Sequence, residues 1–373
     1  MLKRLYSVNF FDAFITGAMT VAIPLMMLYY GVDIAAIGLV FSLSPLVKMA
    51  VRLIAAAVAD SAGERIVYIL TSICNLAQSL CYGLFPSAPG FAAGKSVDGA
   101  RESLVFSVNR VSIMAVAPHR GHFALAGMMS GRSFYNAIGS LFVGILFAAG
   151  GFDLILSLAA ALSLFMLLLS FGVKNTGRHG CKTRLSDFSP FGKSRRFYEA
   201  TKTLAIGGSC YVTMLYFAMP LFLTLNGFSL GEIGAFYAGY FMVLGITLNF
   251  LSHRQVSTKT AAVFGTIVFV ACFLGMMFVD GWLIPALFLA MAVGDGCLGL
   301  LWEEANYLAI KDSKKQAIDL ALAGTPAGIA VFFVSAFSGF AIKEFGFAPL
   351  FFLTALSLIG FSAMCVRLNG MKE

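Results

Sequence analysis

Charge is what this sequence has least of. Asp, Glu, Lys and Arg make up 12% of its 373 residues, about half the ~25% usual in soluble domains. With 59% hydrophobic residues and a mean hydropathy of +0.88, the chain reads as a polytopic membrane protein. Strand-sized apolar/polar alternation is missing, which excludes an outer-membrane barrel. No Walker-type loop is present, so this chain alone is not a nucleotide-driven pump. Cys74, Cys81, Cys181, Cys210, Cys272, Cys297 and Cys365 show no metal spacing, and all but Cys181 lie in apolar stretches, as small core residues do. No histidine falls in an apolar stretch: His119, His122, His179 and His253 sit in connecting segments. Neither a metal centre nor a His-based catalytic pair is therefore expected in the membrane, and no cofactor is implied. The basic start at Lys3-Arg4 resembles a signal peptide, but Asp12 interrupts the apolar run and no small-residue cleavage site follows, so the segment is expected to remain as the first helix.

What is present is a series of apolar segments, each near the ~20 residues that a membrane-spanning helix needs. Twelve helices are expected near 5–30, 34–58, 66–85, 88–116, 123–149, 152–173, 203–226, 229–251, 261–280, 283–310, 318–343 and 347–368. Of the 26 Lys and Arg, 19 lie at the termini or in loops on the side that carries the 174–202 segment. Six are inside helices (Lys48, Arg52, Lys95, Arg101, Arg110, Arg132), and Lys343 alone is near the other side. Positive residues stay in the cytoplasm. Both termini and the long loop are accordingly expected there, in a cell (plasma or inner) membrane, and the net charge of +8 reflects topology rather than nucleic-acid binding. Lys193-Ser194-Arg195-Arg196 is either a solvated linker or a contact for anionic lipid.

The two halves repeat. Adding 197 maps Asp98-Gly99 onto Asp295-Gly296, Asn109 onto Asn306, Ala124-Leu125-Ala126-Gly127 onto Ala321-Leu322-Ala323-Gly324, and Gly131 onto Gly328. An offset of 196 maps Pro24, Gly31 and Ile37-Gly38 onto Pro220, Gly227 and Ile233-Gly234. A constant register that includes Asp, Asn and Pro marks a true internal repeat. The expected fold is an all-α polytopic membrane protein of twelve transmembrane helices in two parallel six-helix repeats: residues 1–173, a cytoplasmic linker 174–202, and residues 203–373. Such repeats place a substrate site between the halves.

The fourth helix is the most polar. At ~100° per residue, Lys95, Asp98, Glu102 and Asn109 fall within about 60° of one another, with Arg101 beside them. Ionisable residues at membrane depth face a bundle interior or a water-filled cavity, so this stripe marks a polar path. Asp12 on helix 1, Lys48 and Arg52 on helix 2, and Arg132 and Asn136 on helix 5 extend it, as do Asp295, Trp302, Glu303 and Asn306 on helix 10. Glu102, nearest the midplane, is the first candidate for a proton or substrate site, while ion pairs with Lys95 or Arg101 would hold Asp98 charged. All six intramembrane bases belong to the first half, and Asp295, Glu303 and Glu304 to the second. That polarity fits an anionic or zwitterionic solute gripped between the halves, or charges that pair across them as gates. Gly127-x-x-x-Gly131 and Gly324-x-x-x-Gly328 are expected to permit close helix approach, and Pro24 and Pro220 to kink helices 1 and 7.

The loop Ala59-Asp60-Ser61-Ala62-Gly63-Glu64-Arg65 is similar to the cytoplasmic signature of the major facilitator superfamily. Asp60, Gly63 and Arg65 match it, Ser61 and Glu64 stand at usually basic positions, and the second-half copy Ser252-His253-Arg254-Gln255 is weaker. Lys95-Ser96-Val97-Asp98-Gly99 resembles the family's fourth-helix Arg-x-x-x-Gly, with Lys for Arg. Glu102 three residues after Gly99 resembles the spinster-like lipid transporters, which carry Gly where Arg101 stands. The fifth-helix signature of drug/proton antiporters is broken, since Ser140 follows Gly139 where Pro would be. The resemblance covers essentially the whole chain and implies a secondary transporter working by alternating access, with Asp60, Gly63 and Arg65 forming a cytoplasmic gate.

The expected function is proton-coupled movement of a small organic, amphiphilic solute. A monomer is expected, in contact with membrane lipid and a small-molecule substrate and with no nucleic acid. A multidrug or lipophilic-cation exporter, and a non-transporting scaffold or receptor on the same fold, remain open alternatives. An intramembrane enzyme would need a catalytic pair that the helices do not offer.

Overall fold

The computed structural model describes residues 2–116, 120–173, 175, 185–254, 256–313 and 315–371, without the side chains of residues 2–5, 60–62, 107, 115, 116, 185 and 186. Four helices come first: α1 (Leu2–Tyr29), α2 (Ile34–Ala62), α3 (Glu64–Leu84) and α4 (Ala88–Val116). The next, α5 (His122–Ser170), has 49 residues. At ~1.5 Å per residue it would exceed two bilayer cores if straight. It breaks instead at Gly150 (φ −165°) and Gly151 (φ +68°), a left-handed conformation that glycine tolerates, and so supplies the fifth and sixth crossings. The seventh crossing is composite: α6 (Arg195–Thr213), a π turn at Met214–Ala218, and α7 (Met219–Leu225). Then come α8 (Leu230–Arg254), α9 (Thr258–Gly275), α10 (Leu283–Ile310), α11 (Gln316–Phe345) and α12 (Ala348–Asn369). Among the described residues ten segments are long and apolar enough to cross a membrane. The broken α5 counts twice and the charged α4 completes the twelve of the two-repeat layout.

Three local expectations differ. The seventh crossing starts at Arg195 rather than near residue 203, because Ser194 caps it by accepting from the Phe197 N–H (3.1 Å) and Phe197, Ala200 and Leu204 bury its inner face. The basic run at 193–196 is thus a capping turn, not open linker. Pro24 leaves α1 a single helix, whereas Pro220 follows the π turn, whose wider coil accommodates a missing N–H donor. The paired small-residue motifs do not bring helix backbones together. A Cβ on Gly324 would lie 2.0 Å from Arg52 Nη1 and one on Gly328 2.7 Å from Met49 Cγ, while Gly131 has nothing within 4 Å. The glycines of α11 make room for side chains.

The halves meet chiefly along α2 against α11 and α5 against α8. On the side opposite the long loop these seams are backbone-close: a Cβ on Gly38 would lie 2.8 Å from the Gly339 N, and one on Gly144 2.6 Å from the Gly231 Cα. On the loop side the seams are closed by apolar side chains. Ala56 packs with Ala317, Ile318 and Ala321, and Met114 and Leu125 with Ala305, Ile310 and Leu320. Lys193–Asp319 (2.6 Å) and Lys315–Asp187 tie the linker to the start of α11. Between these two layers lies a cavity of about 390 Å³.

Candidate functional site

Helix contacts fix the polar residues before any ligand does. A Cβ on Gly99 would meet the Ser44 carbonyl at 2.2 Å, and Ser103 Oγ donates to the Lys48 carbonyl (2.9 Å), so α4 lies directly on α2. That registers Lys48 opposite Glu102, Nζ to Oε2 2.7 Å. Similarly, Gly17 and Gly139 clamp α1 to α5, which sets Asp12 against Arg132 (2.7 Å).

The fourth-helix stripe becomes one branched ion network. Asp98 takes Lys95 (3.1 Å) and Arg101 (2.9 Å), and Arg101 reaches on to Asp12 (2.9 Å) and to Thr16 Oγ1 (3.0 Å). Asp12, 1% exposed, thereby bridges two guanidinium groups. The network extends sideways through amides: Asn109 Nδ2 donates to Asn9 Oδ1 (2.7 Å), which also accepts from Arg132 Nη1 (2.9 Å), while Tyr68 donates to Asn109 Oδ1 (2.6 Å). On α3, Asn75 donates to Asp12 (3.1 Å) and Gln78 donates to Asn75 Oδ1 (3.0 Å). Pairing and hydrogen bonding of this kind offset the cost of burying charge.

Nearer the loop side, Arg110 grips Glu303 of the second half with two hydrogen bonds, one from Nε at 2.9 Å. This is a fork-on-carboxylate pair spanning the halves, and both residues are buried. Glu303 therefore has a basic partner, supplied by α4. Its neighbour Glu304 faces away and accepts from Thr258 (2.9 Å). The ring of Phe106 carries Arg110 at 4.0 Å and Arg52 at 4.6 Å, favourable cation–π positions.

The remaining candidates also face the cavity. Asp295 is 5% exposed and accepts from Tyr211 (2.7 Å) and Tyr240 (2.5 Å). Trp302 lies on α10 beside Phe361 (centroids 6.1 Å), and the Asn306 amide donates to the Trp302 carbonyl (2.9 Å). Asn136 and Arg132 come from α5. Asp12 alone of the intramembrane candidates sits behind the wall rather than on it. The loop expected at residues 60–65 shrinks to Gly63, with Asp60 in the last turn of α2 and Arg65 in the first turn of α3; the Asp60 side chain lies outside the described residues. Gly63 has φ +88°, and the Arg65 N–H donates to Asn175 Oδ1 (3.1 Å).

Two charged residues stand out. Arg52, 5% exposed, has no carboxylate within ion-pairing distance among the described residues, and its Nε has no hydrogen-bond partner within the protein. Asp295 has hydroxyl partners but, among the described residues, no cation within that distance. Asn9, Asn75, Gln78, Tyr211, Tyr240 and Phe106 were not singled out from sequence. The α3 polar face was nevertheless legible, since Thr71, Ser72, Asn75, Gln78 and Ser79 recur at helical spacing.

A cavity between two six-helix repeats, with charged side chains on a largely apolar wall, defines a membrane transporter by its architecture. The chain belongs to the Major Facilitator Superfamily, whose family model matches residues 5–317. That family consists of transporters that bind small-molecule substrates within the membrane, not of enzymes. Similar solved structures include the fucose:proton symporter of E. coli (TM-score 0.73, 13% identity, 99% of this chain and 98% of that one). A D-xylose–proton symporter (TM-score 0.68, 14%, 98% and 96%) and a human organic anion transporter (TM-score 0.65, 14%, 96% and 99%) are also similar. At these identities the likeness is one of fold. No curated protein matches the chain by sequence.

Proposed function

We propose that this protein is a proton-coupled secondary transporter of a small organic anion or zwitterion, bound between the halves and released by alternating access, with the loop side in the cytoplasm. One observation carries the reading: the cavity presents Arg52 without an acidic partner and Asp295 without a basic one. The other lining charges are engaged. Lys95 and Arg101 hold Asp98, Lys48 holds Glu102, Arg110 holds Glu303, and Arg132 holds Asp12. Arg52 is thus the group with charge to offer an anion, and its planar fork suits a carboxylate. Asp295 is the acid to which a proton would supply the missing counter-charge. It serves that role better than Glu102, whose carboxylate Lys48 already occupies.

The volume is in the range of small-molecule sites, and the two sugar–proton symporters and the organic anion transporter among the similar folds are consistent with a proton-coupled carrier of a small organic solute. The test is solute-driven proton flux in proteoliposomes, with pools of organic anions, zwitterions and lipophilic cations. An anion or zwitterion is expected to move protons. Arg52→Gln should weaken apparent affinity about 10- to 150-fold, the worth of a charged hydrogen bond of ~1.5–3 kcal/mol. Asp295→Asn should retain downhill exchange of solute while abolishing the proton signal, and Glu102→Gln should retain coupling. Flux driven only by lipophilic cations and indifferent to Arg52→Gln would instead indicate multidrug export.

A further inference from the structure

Four buried side-chain atoms have no hydrogen-bond partner within the protein among the described residues: Arg52 Nε, Gln78 Oε1, Asn136 Oδ1 and Asn306 Oδ1. Buried polar atoms are almost always satisfied, so four exceptions scattered at random would already call for an explanation. They are not scattered, because all four residues line the central cavity. One atom is a donor on a cation and three are amide oxygens.

The orientation of Gln78 is dictated by its neighbours. Asp12, held by two arginines, is an acceptor, so Asn75 must turn its NH₂ toward it (3.1 Å) and is left with Oδ1 to offer. Gln78 must then turn its own NH₂ to that oxygen (3.0 Å), which leaves its carbonyl as the unpartnered group. The charge state of Asp12 therefore fixes an acceptor, and not a donor, at Gln78, which is 2% exposed.

Heights follow from ~1.5 Å per residue along each helix. Gln78 and Asn136 each lie 14 residues from the loop-side ends of α3 and α5, so both are about 21 Å in. The Arg52 guanidinium lies beside Phe106 and Gly324, roughly 12–15 Å in. Asn306, about 6 Å in, falls on the other side of Arg52. Along the helix axes, a ligand spanning these levels meets a cationic donor at one end and, roughly 6–9 Å deeper, two amide acceptors at the other.

Resting on the transport reading above, we propose that the solute is a polyhydroxylated monocarboxylic acid, with its carboxylate on Arg52 and its distal hydroxyls donating to Gln78 Oε1 and Asn136 Oδ1. An α-amino acid carries its donor next to its carboxylate and does not match the separation. A plain alkanoate leaves both amide oxygens unpaired, and a neutral polyol leaves Arg52 without an anion. Each mismatch keeps a buried polar group unsatisfied, which is how such sites reject analogues that lack a hydroxyl.

The test uses the full chain in proteoliposomes and compares uptake of labelled gluconate, hexanoate, sorbitol and alanine. Gluconate should be preferred over hexanoate and sorbitol by tenfold or more. Gln78→Leu and, separately, Asn136→Leu should narrow the gluconate-to-hexanoate preference by about tenfold. Retained hexanoate uptake in those variants would show that they are folded. Equal uptake of gluconate and hexanoate, or a preference for alanine, would overturn this inference while leaving anion or zwitterion transport intact. Absence of uptake for every organic anion and zwitterion, with lipophilic cations transported, would overturn the functional reading as well.

Discussion

Arg110→Gln is the perturbation whose consequence can be worked out most fully. Arg110 and Glu303 form a two-point ion pair between α4 and α10, both buried, on the loop side of the cavity. Removing one member of such a pair leaves an uncompensated buried charge and costs about 3–5 kcal/mol. That cost falls on the conformation in which the halves are joined at this level. When they part, Glu303 is hydrated and the penalty disappears. At 1.4 kcal/mol per tenfold, the balance should move toward the loop-side-open conformation by about 140- to 3700-fold. The assay is the rate at which a charged maleimide, added from the loop side, labels Met128→Cys in a background without native cysteines, since Met128 lines the cavity. Arg110→Gln and Glu303→Gln should each raise the rate steeply. The double variant Arg110→Gln/Glu303→Gln buries no charge and should fall back toward the parent. Equal rates in all four proteins would refute the argument, and so would a double variant more open than either single one.

Two further outcomes concern the opposite side. A Cβ at Gly38 would press on the Gly339 backbone at 2.8 Å, an overpacking worth ~1–3 kcal/mol. Gly38→Val should therefore raise labelling of Phe41→Cys from that side by about 5- to 150-fold and reduce transport, and unchanged labelling would refute the close seam. At Asp33, which caps α2 through the Ala35 N–H (3.1 Å), the hydrogen bond from Lys343 holds the carboxyl below its ordinary value. A depressed carboxyl stabilises the fold above its unfolded pKa of ~3.9 and loses that contribution as pH falls through the folded value. Asp33→Asn should consequently melt below the parent near neutral pH, and the two melting curves should converge below about pH 4. A gap that persists in acid would show that the effect is not ionic.

The sequence was most informative where it repeated. The register Asp98/Asp295 and Asn109/Asn306 reported two halves, and the clustered charges of α4 reported a lumen, because a lipid-facing helix cannot carry them. Pairing was less legible. Arg110 stood with the other intramembrane bases and Glu303 with the second-half acids, and their pairing across the halves was one of two open readings, since helical spacing places residues on faces but says nothing about which face of another helix they meet. The same limit hid Tyr211 and Tyr240, two ordinary aromatic residues until α6 and α8 bring their hydroxyls to Asp295. The small-residue motifs misled for a related reason: spacing reports where bulk is absent, not whether a backbone or, as at Gly324, an arginine fills the space.

The π turn at Met214–Ala218 has a consequence for how this protein can change over generations. Tyr211 and Tyr216 both line the cavity, although residues five apart on a regular α-helix point about 140° away from each other. The widened turn reconciles them by accommodating an extra residue. A chain that lost one residue here could form a regular α-helix with the two tyrosines four apart, about 40° from each other, and both would still face the lumen. This part of the solute-facing wall therefore tolerates the loss of one codon, whereas a chain that kept every residue and straightened the turn into a regular α-helix would swing one tyrosine away from the other.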